Sequence, residues 1–168
     1  MTPTIETERL VIFPYTWAMQ EHVDWLNNPQ VTRFSEQRHR QHTLMSQVEY
    51  LAAIPDGSYI WLLRLREQIL DIGTITAYVD ENNKVANMGI MIGNTAAWGH
   101  GYGAEAWAAV MAWLFRNGIR KIECGCMEAN KAMAKLAAKV GMSPEGMIDN
   151  HFLLDGEPQA LFLFGKMR

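Results

Sequence analysis

A chain of 168 residues, 49% hydrophobic and 20% charged, with 6 Trp and 11 Met, is expected to form a single domain (1–168) with a full core. Its 15 Lys and Arg against 18 Asp and Glu leave a net charge of −3, and no stretch interleaves basic and aromatic residues as a nucleic-acid surface does. The longest apolar run, Ala106 to Phe115, falls far short of the roughly 20 residues of a membrane span, and the opening MTPTIETERL lacks the regions of a secretory signal, so the expectation is a cytoplasmic protein without nucleic-acid or membrane partners.

RLVIFPYT (Arg9 to Thr16) reads as a first strand, and WAMQEHVDWLNN (Trp17 to Asn28) as a helix closed by Pro29. The polar stretch PQVTRFSEQRHRQHT reads as a loop into a second helix, about His42 to Ile54, which Pro55 and Gly57 end. The period then changes. Ser58 to Arg66, Ile69 to Val79 and Lys84 to Gly93 are rich in Ile, Leu, Val, Tyr and Trp and are separated by short polar turns, which predicts three antiparallel strands. Gly103 to Arg116 is a helix, with Trp107, Val110, Met111 and Leu114 spaced i, i+3, i+4, i+7 and a stop at Asn117 and Gly118. IRKIECGCM is the next strand, Asn130 caps a further helix ending at Gly141, and strands around Gly146 to Leu154 and Gln159 to Lys166 complete the chain.

Two features within this order call for explanation. Cys124 and Cys126, two apart in a strand, share a face with side chains about 7 Å apart; without a second Cys or His cluster they read as ordinary packing rather than a metal site or disulfide. AAWGHGYGAEAW (Ala96 to Trp107) sets Gly99, Gly101 and Gly103 against the start of a helix. Three glycines in five residues imply a sharply bent backbone or a close visitor, and a phosphate is the usual one. GHGYGA matches a dinucleotide fingerprint, with Glu123 about twenty residues on, but Asn94 to Trp98 separate it from its strand, hairpins precede it and roughly 65 residues follow, too few for a doubly wound domain.

The element order, MGIMIG (Met88 to Gly93) followed by WGHGYGAEA, and NKAMAKLAAKVGM (Asn130 to Met142) resemble the GCN5-related N-acetyltransferase (GNAT) family over essentially the whole chain, in the branch similar to ribosomal-protein N-terminal acetyltransferases. The resemblance implies an α/β (α+β) fold, a mixed, mostly antiparallel seven-stranded sheet flanked by about four helices. It implies acetyl-CoA as co-substrate and no metal. The family loop pattern Q/R-x-x-G-x-G/A falls on Trp98 to Gly103, with Trp98 where Gln or Arg is commonest and read here as a packing anchor. Trp98, Gly99, His100, Gly101, Tyr102, Gly103 and Ala104 are thus the expected pyrophosphate cradle. Met91 or Ile92 is expected to supply the backbone N–H for the thioester carbonyl, and Asn130 opens the helix beneath the pantetheine arm. Lys131, Lys135 and Lys139 form a basic stripe at i, i+4, i+8, read as a solvated face.

No general acid or base is assigned. Where many relatives carry a Tyr in the last helix this chain has Ala137, and where others place a carboxylate on the fourth strand it has Asn87. Acceptor-binding candidates lie in RFSEQRHRQH, namely Phe34, Glu36, Arg38 and His39; VTRFSEQR (Val31 to Arg38) resembles acetyltransferases of bacterial surface-sugar pathways. His151 and Glu128 read as surface residues within reach of the cleft. The expected activity is acetylation of a small-molecule amine, first an amino-sugar nucleotide; a protein N-terminal acetyltransferase and a non-catalytic acyl-CoA-binding module are the alternatives. A homodimer is left open.

Overall fold

The computed structural model describes residues 2–168 as β1 (Ile5–Glu6), β2 (Leu10–Pro14), α1 (Gln20–Leu26), α2 (Pro29–Thr32), α3 (Leu44–Ala52), β3 (Tyr59–Leu65), β4 (Leu70–Asp80), β5 (Val85–Ile92), α4 (Tyr102–Arg116), β6 (Lys121–Met127), α5 (Lys131–Lys139), β7 (Ser143–Leu154) and β8 (Glu157–Met167). Single 3₁₀ turns occupy Glu36–His39 and Thr95–Ala97. The fold class expected from sequence stands, with two corrections to the count. The sheet has eight strands, because Ile5–Glu6 pairs antiparallel with Val11 and Ile12; two residues are too few to show a period. Among the described residues there are five α-helices, because Pro29 does not merely close α1 but sits at the first position of α2, where its missing N–H costs nothing and Asn28 caps the turn through the Gln30 N–H.

The sheet order is β1-β2-β3-β4-β5-β6-β8-β7, antiparallel at every step except β5 to β6. That parallel pair lasts for three residues, Val85 to Asn87 against Lys121 to Glu123. β5 then continues along β4 to Ile92, while β6 continues along β8 to Met127, so a wedge opens between them. α4 crosses from β5 to β6 and, with α5, covers one face through Ala106, Trp107, Val110, Met111, Leu114 and Ala137, which pack on Ile75, Ala77, Met88 and Ile122. The other face carries a smaller cluster around Tyr15, Ile60 and Leu62, covered by Met19 and Trp25 and by Tyr50, Leu51 and Ile54 from the α3 region. Cys124 and Cys126 are buried, unbridged thiols on the α4 side, and burial pushes the Cys124 thiol up to about 12, so both pack as apolar residues.

Candidate active site

The glycine loop opens α4 by two backbone reversals. Gly99 (φ 79°) and Gly101 (φ 81°) both lie in the left-handed region, and Gly101 is the residue on which the helix starts. Its lack of a capping side chain leaves the N–H groups of Tyr102, Gly103 and Ala104 without partners among the described residues; the first intrahelical bond is Glu105 N–H to the Gly101 carbonyl. Gly103 has a different reason to be glycine. A Cβ there would stand 3.3 Å from Leu136 of α5, so its smallness lets α4 approach α5 and β5. Trp98, expected as a packing anchor, is instead exposed and held by a hydrogen bond from its indole N–H to the Ile92 carbonyl at 2.8 Å.

Arg9 of the β1–β2 turn and Lys139 of α5 flank this helix start. The Arg9 guanidinium donates to the His100 carbonyl (2.9 Å) and to both the Glu105 side chain (Nε, 2.7 Å) and, by ion pairing, the same oxygen at 2.6 Å, and it lies 4.5 Å above the Tyr102 ring. Burial pushes the Glu105 carboxyl up, but hydrogen bonds from Thr7 and Arg9 outweigh it and hold the group below its ordinary value. Glu105 is thereby neutralised next to the free N–H groups. Lys139 Nζ comes to 3.8 Å from where a Gly101 Cβ would be and has no carboxylate partner among the described residues. The basic stripe is exposed along its length, as expected; at its two ends Lys139 also reaches the loop and Lys131 stands 6.0 Å from the Phe162 ring centre.

The wedge supplies the remaining backbone donors. Gly93 donates to the Ile72 carbonyl, so by antiparallel alternation Met91 and Gly89 also turn their N–H groups to β4, and Ile90 and Ile92 turn theirs into the opening. Of the two N–H donors expected, Ile92 faces the wedge, and Met91 instead sends its side chain to the far face. Asn130 caps α5, its side chain accepting the Met133 N–H at 3.1 Å. Unpaired helix N–H groups, an unpaired cation and an open strand edge, placed in sequence, fit an extended ligand with a phosphate at one end.

Through the sheet from that wedge lies a cleft of about 260 Å³, floored by Ile60, Thr74, Thr76, Tyr78, Gly89 and Met91 and roofed by α1, the Glu36–His39 turn and α3. From the segment expected to bind acceptor, Ser35, Gln37 and Arg40 line it, whereas Phe34, Glu36, Arg38 and His39 do not. Glu36 and His39 are exposed and 3.5 Å apart, the largely buried Arg38 side chain bonds Glu36 (2.7 Å) and the Leu153 carbonyl (2.8 Å), and Arg33 lies 5.8 Å from the Phe34 ring. His22, Gln47, Tyr50 and Tyr78 also line the cleft and were not foreseen; a His and a Gln among the apolar positions of two amphipathic helices were the available signal. Tyr50 and Tyr78 share a hydrogen bond at 2.7 Å, and burial raises the Tyr50 hydroxyl far above its usual range. No Asp or Glu lines the cleft. Ala137 is fully buried in the core, Asn87 lines a different groove with Arg120 and Glu123, His151 is exposed, and Glu128 bonds the Ala160 N–H. No metal-binding cluster is found among the described residues, and no helix among them is long and apolar enough to cross a membrane.

Comparison with known proteins is consistent with this geometry. No curated protein matches the chain. Solved structures do: a GNAT-family acetyltransferase from Bacillus anthracis (16% identity, 98% of each chain, TM-score 0.82), the microcin C7 self-immunity acetyltransferase MccE in complex with acetyl-CoA and AMP (15%, 96% of this chain and 94% of that one, TM-score 0.81), and RimL, the ribosomal L7/L12 alpha-N-protein acetyltransferase, with coenzyme A (16%, 98% of each, TM-score 0.82). At these identities they establish the fold. The family model described as "Acetyltransferase (GNAT) domain" matches residues 9–143, a span that holds the loop, the wedge and the α5 cap, and the chain therefore belongs to the GNAT acetyltransferase family, whose co-substrate is acetyl-CoA.

Proposed function

We propose that the chain transfers the acetyl group of acetyl-CoA to the amine of a small, hydroxyl-bearing, anionic acceptor, with an amino-sugar nucleotide as the first candidate. Acetyl-CoA supplies the activated thioester. The residues that would hold it are the N–H groups of Tyr102, Gly103 and Ala104, the Lys139 ammonium and the open N–H groups of Ile90 and Ile92. One observation carries the acceptor class. The cleft presents hydroxyl and amide groups from Ser35, Gln37, Gln47, Thr74, Thr76 and Tyr78, a single cation, Arg40, braced by Gln37 (2.9 Å), and no carboxylate. A polyamine calls for acidic lining, and so in part does a peptide amino terminus; hydroxyls and an arginine suit a sugar that carries phosphate. A volume of about 260 Å³ is near the lower end for small-molecule pockets and suits one ring-sized moiety, the rest of the acceptor extending past the rim. MccE, which is described with AMP beside acetyl-CoA, is a fold relative that accommodates a nucleotide.

The acceptor amine must lose protons overall, and with no carboxylate in the cleft the proton leaves through solvent or a neutral group. Thiol release measured with acetyl-CoA and UDP-glucosamine, free glucosamine, spermidine and an alanine-initiated peptide tests the assignment. The expected order puts UDP-glucosamine first in kcat/KM. A peptide that outperforms it would replace this reading with the N-terminal one, and silence with the whole panel would leave an acyl-CoA-binding module.

A further inference from the structure

Tyr15 is 2% exposed, and its hydroxyl has two neighbours within hydrogen-bond reach, the Met19 N–H at 3.3 Å and His22 Nδ1 at 2.8 Å. A buried hydroxyl places its hydrogen on an acceptor. Met19 N–H is a donor and cannot take it. His22 Nδ1 therefore does, which makes Nδ1 the unprotonated nitrogen and leaves the ring proton on Nε2. That nitrogen has no partner among the described residues and is not sealed from solvent, and His22 lines the cleft.

We propose that His22 is an acceptor-binding residue that presents Nε2–H to the cleft as a fixed donor to an acceptor oxygen, and that it is not the base of the reaction. This rests on reading the cleft as the acceptor site. The titratable or charged groups around the ring are Tyr15, His42, Arg40, Tyr50 and Tyr78, none of which stabilises an imidazolium as a carboxylate would. Burial, and then the nearby His42, bring His22 down to about 4, so the ring is neutral at neutral pH and the Tyr15 hydroxyl keeps its tautomer. Gln47 lines the same cleft.

The tautomer is measured first, in the ligand-free protein, by long-range ¹H–¹⁵N correlation of the histidine rings at pH 7. His22 should show protonated Nε2 and acceptor Nδ1; a protonated Nδ1, or titration near 6.5, overturns the assignment. In kinetics with UDP-glucosamine, His22→Phe should raise the acceptor KM about tenfold with the acetyl-CoA KM unchanged. His22→Gln keeps an N–H near Nε2 and should recover most of that loss, with a kcat pH profile that superimposes on the parent. An acidic limb present in the parent and lost in His22→Gln would make His22 the base. If His22→Phe fails to fold, Tyr15→Phe, which frees the tautomer but keeps the ring, should give mixed tautomers and a raised acceptor KM; an unchanged KM overturns the proposal. A parent with the Nε2–H tautomer that turns over none of the panel overturns the acceptor reading and this assignment with it.

Discussion

A Cβ on Gly93 would clash with the Trp25 indole, so the residue that follows β5 is glycine because α1 lays an aromatic ring across it. Gly93→Ala forces that ring, and with it the helix bearing His22, away from the sheet. Its expected cost is about 1–3 kcal/mol in chemical unfolding, together with a raised acceptor KM, since Trp25 and His22 share one helix. The loop glycines, legible in sequence as a group, separate on inspection into different causes. Gly99 and Gly101 serve backbone reversal and Gly103 serves α4–α5 packing, a distinction that depends on φ and on a residue 33 positions away. Any side chain at Gly101 is strained by its φ of 81° whatever binds there, so loss of function in that variant does not isolate the cradle. Lys139 does. Lys139→Ala removes an exposed-chain cation beside the free N–H groups and should weaken acetyl-CoA by several-fold in calorimetry, less at high salt, with the apo melting temperature unchanged. Unaltered affinity at low salt would remove Lys139 from the phosphate site.

Periodicity made the long elements plain, since α4 buries the Trp107, Val110, Met111 and Leu114 stripe and the β3–β5 meander follows its apolar runs. The polar segment from Arg33 to His42 was legible as a connection but not as a face. A one-turn 3₁₀ helix and its caps turn Ser35, Gln37 and Arg40 to the cleft and keep Glu36, Arg38 and His39 off it, a division that no apolar residue marks. His39→Ala, at an exposed side chain that faces Glu36, is therefore expected to leave both KM values within twofold. Arg38→Ala should raise the acceptor KM indirectly, by releasing the turn from the Leu153 carbonyl of β7. The Arg9–Glu105 contact was invisible in sequence because 96 residues separate the partners, yet it ties β2 to the start of α4. A carboxyl held below its unfolded value stabilises the fold above the unfolded pKa and loses that contribution as pH falls through the folded one. Glu105→Gln should thus be less stable than the parent at pH 7, by about 1–3 kcal/mol in urea unfolding, with the gap narrowing as pH drops below about 4. A gap that is constant with pH would show that the carboxylate charge is not what holds the loop.

At the scale of the molecule, the sheet divides after three parallel residue pairs, which leaves the wedge beside β5 and the cleft on the sheet face away from α4. β5 turns the Ile90 and Ile92 N–H groups into the wedge, while Gly89 and Met91 line the cleft. Gly89 keeps the cleft floor open, as a Cβ there would meet Thr76 Oγ1 at 3.0 Å. A ligand that pairs with the open N–H groups of β5 in the wedge should stabilise the whole chain rather than one loop. Acetyl-CoA at a hundredfold excess over its dissociation constant is expected to add about 2.7 kcal/mol by mass action, read as an upward shift in melting temperature. NADH has a pyrophosphate but no pantetheine arm to lie along β5, so it should give little or none. Desulfo-CoA, which keeps the arm and the phosphates, should give most of the acetyl-CoA shift, and adenosine diphosphate a fraction of it that disappears at high salt. Equal shifts from NADH and acetyl-CoA would mean that the loop alone binds and that the open edge of β5 contributes nothing.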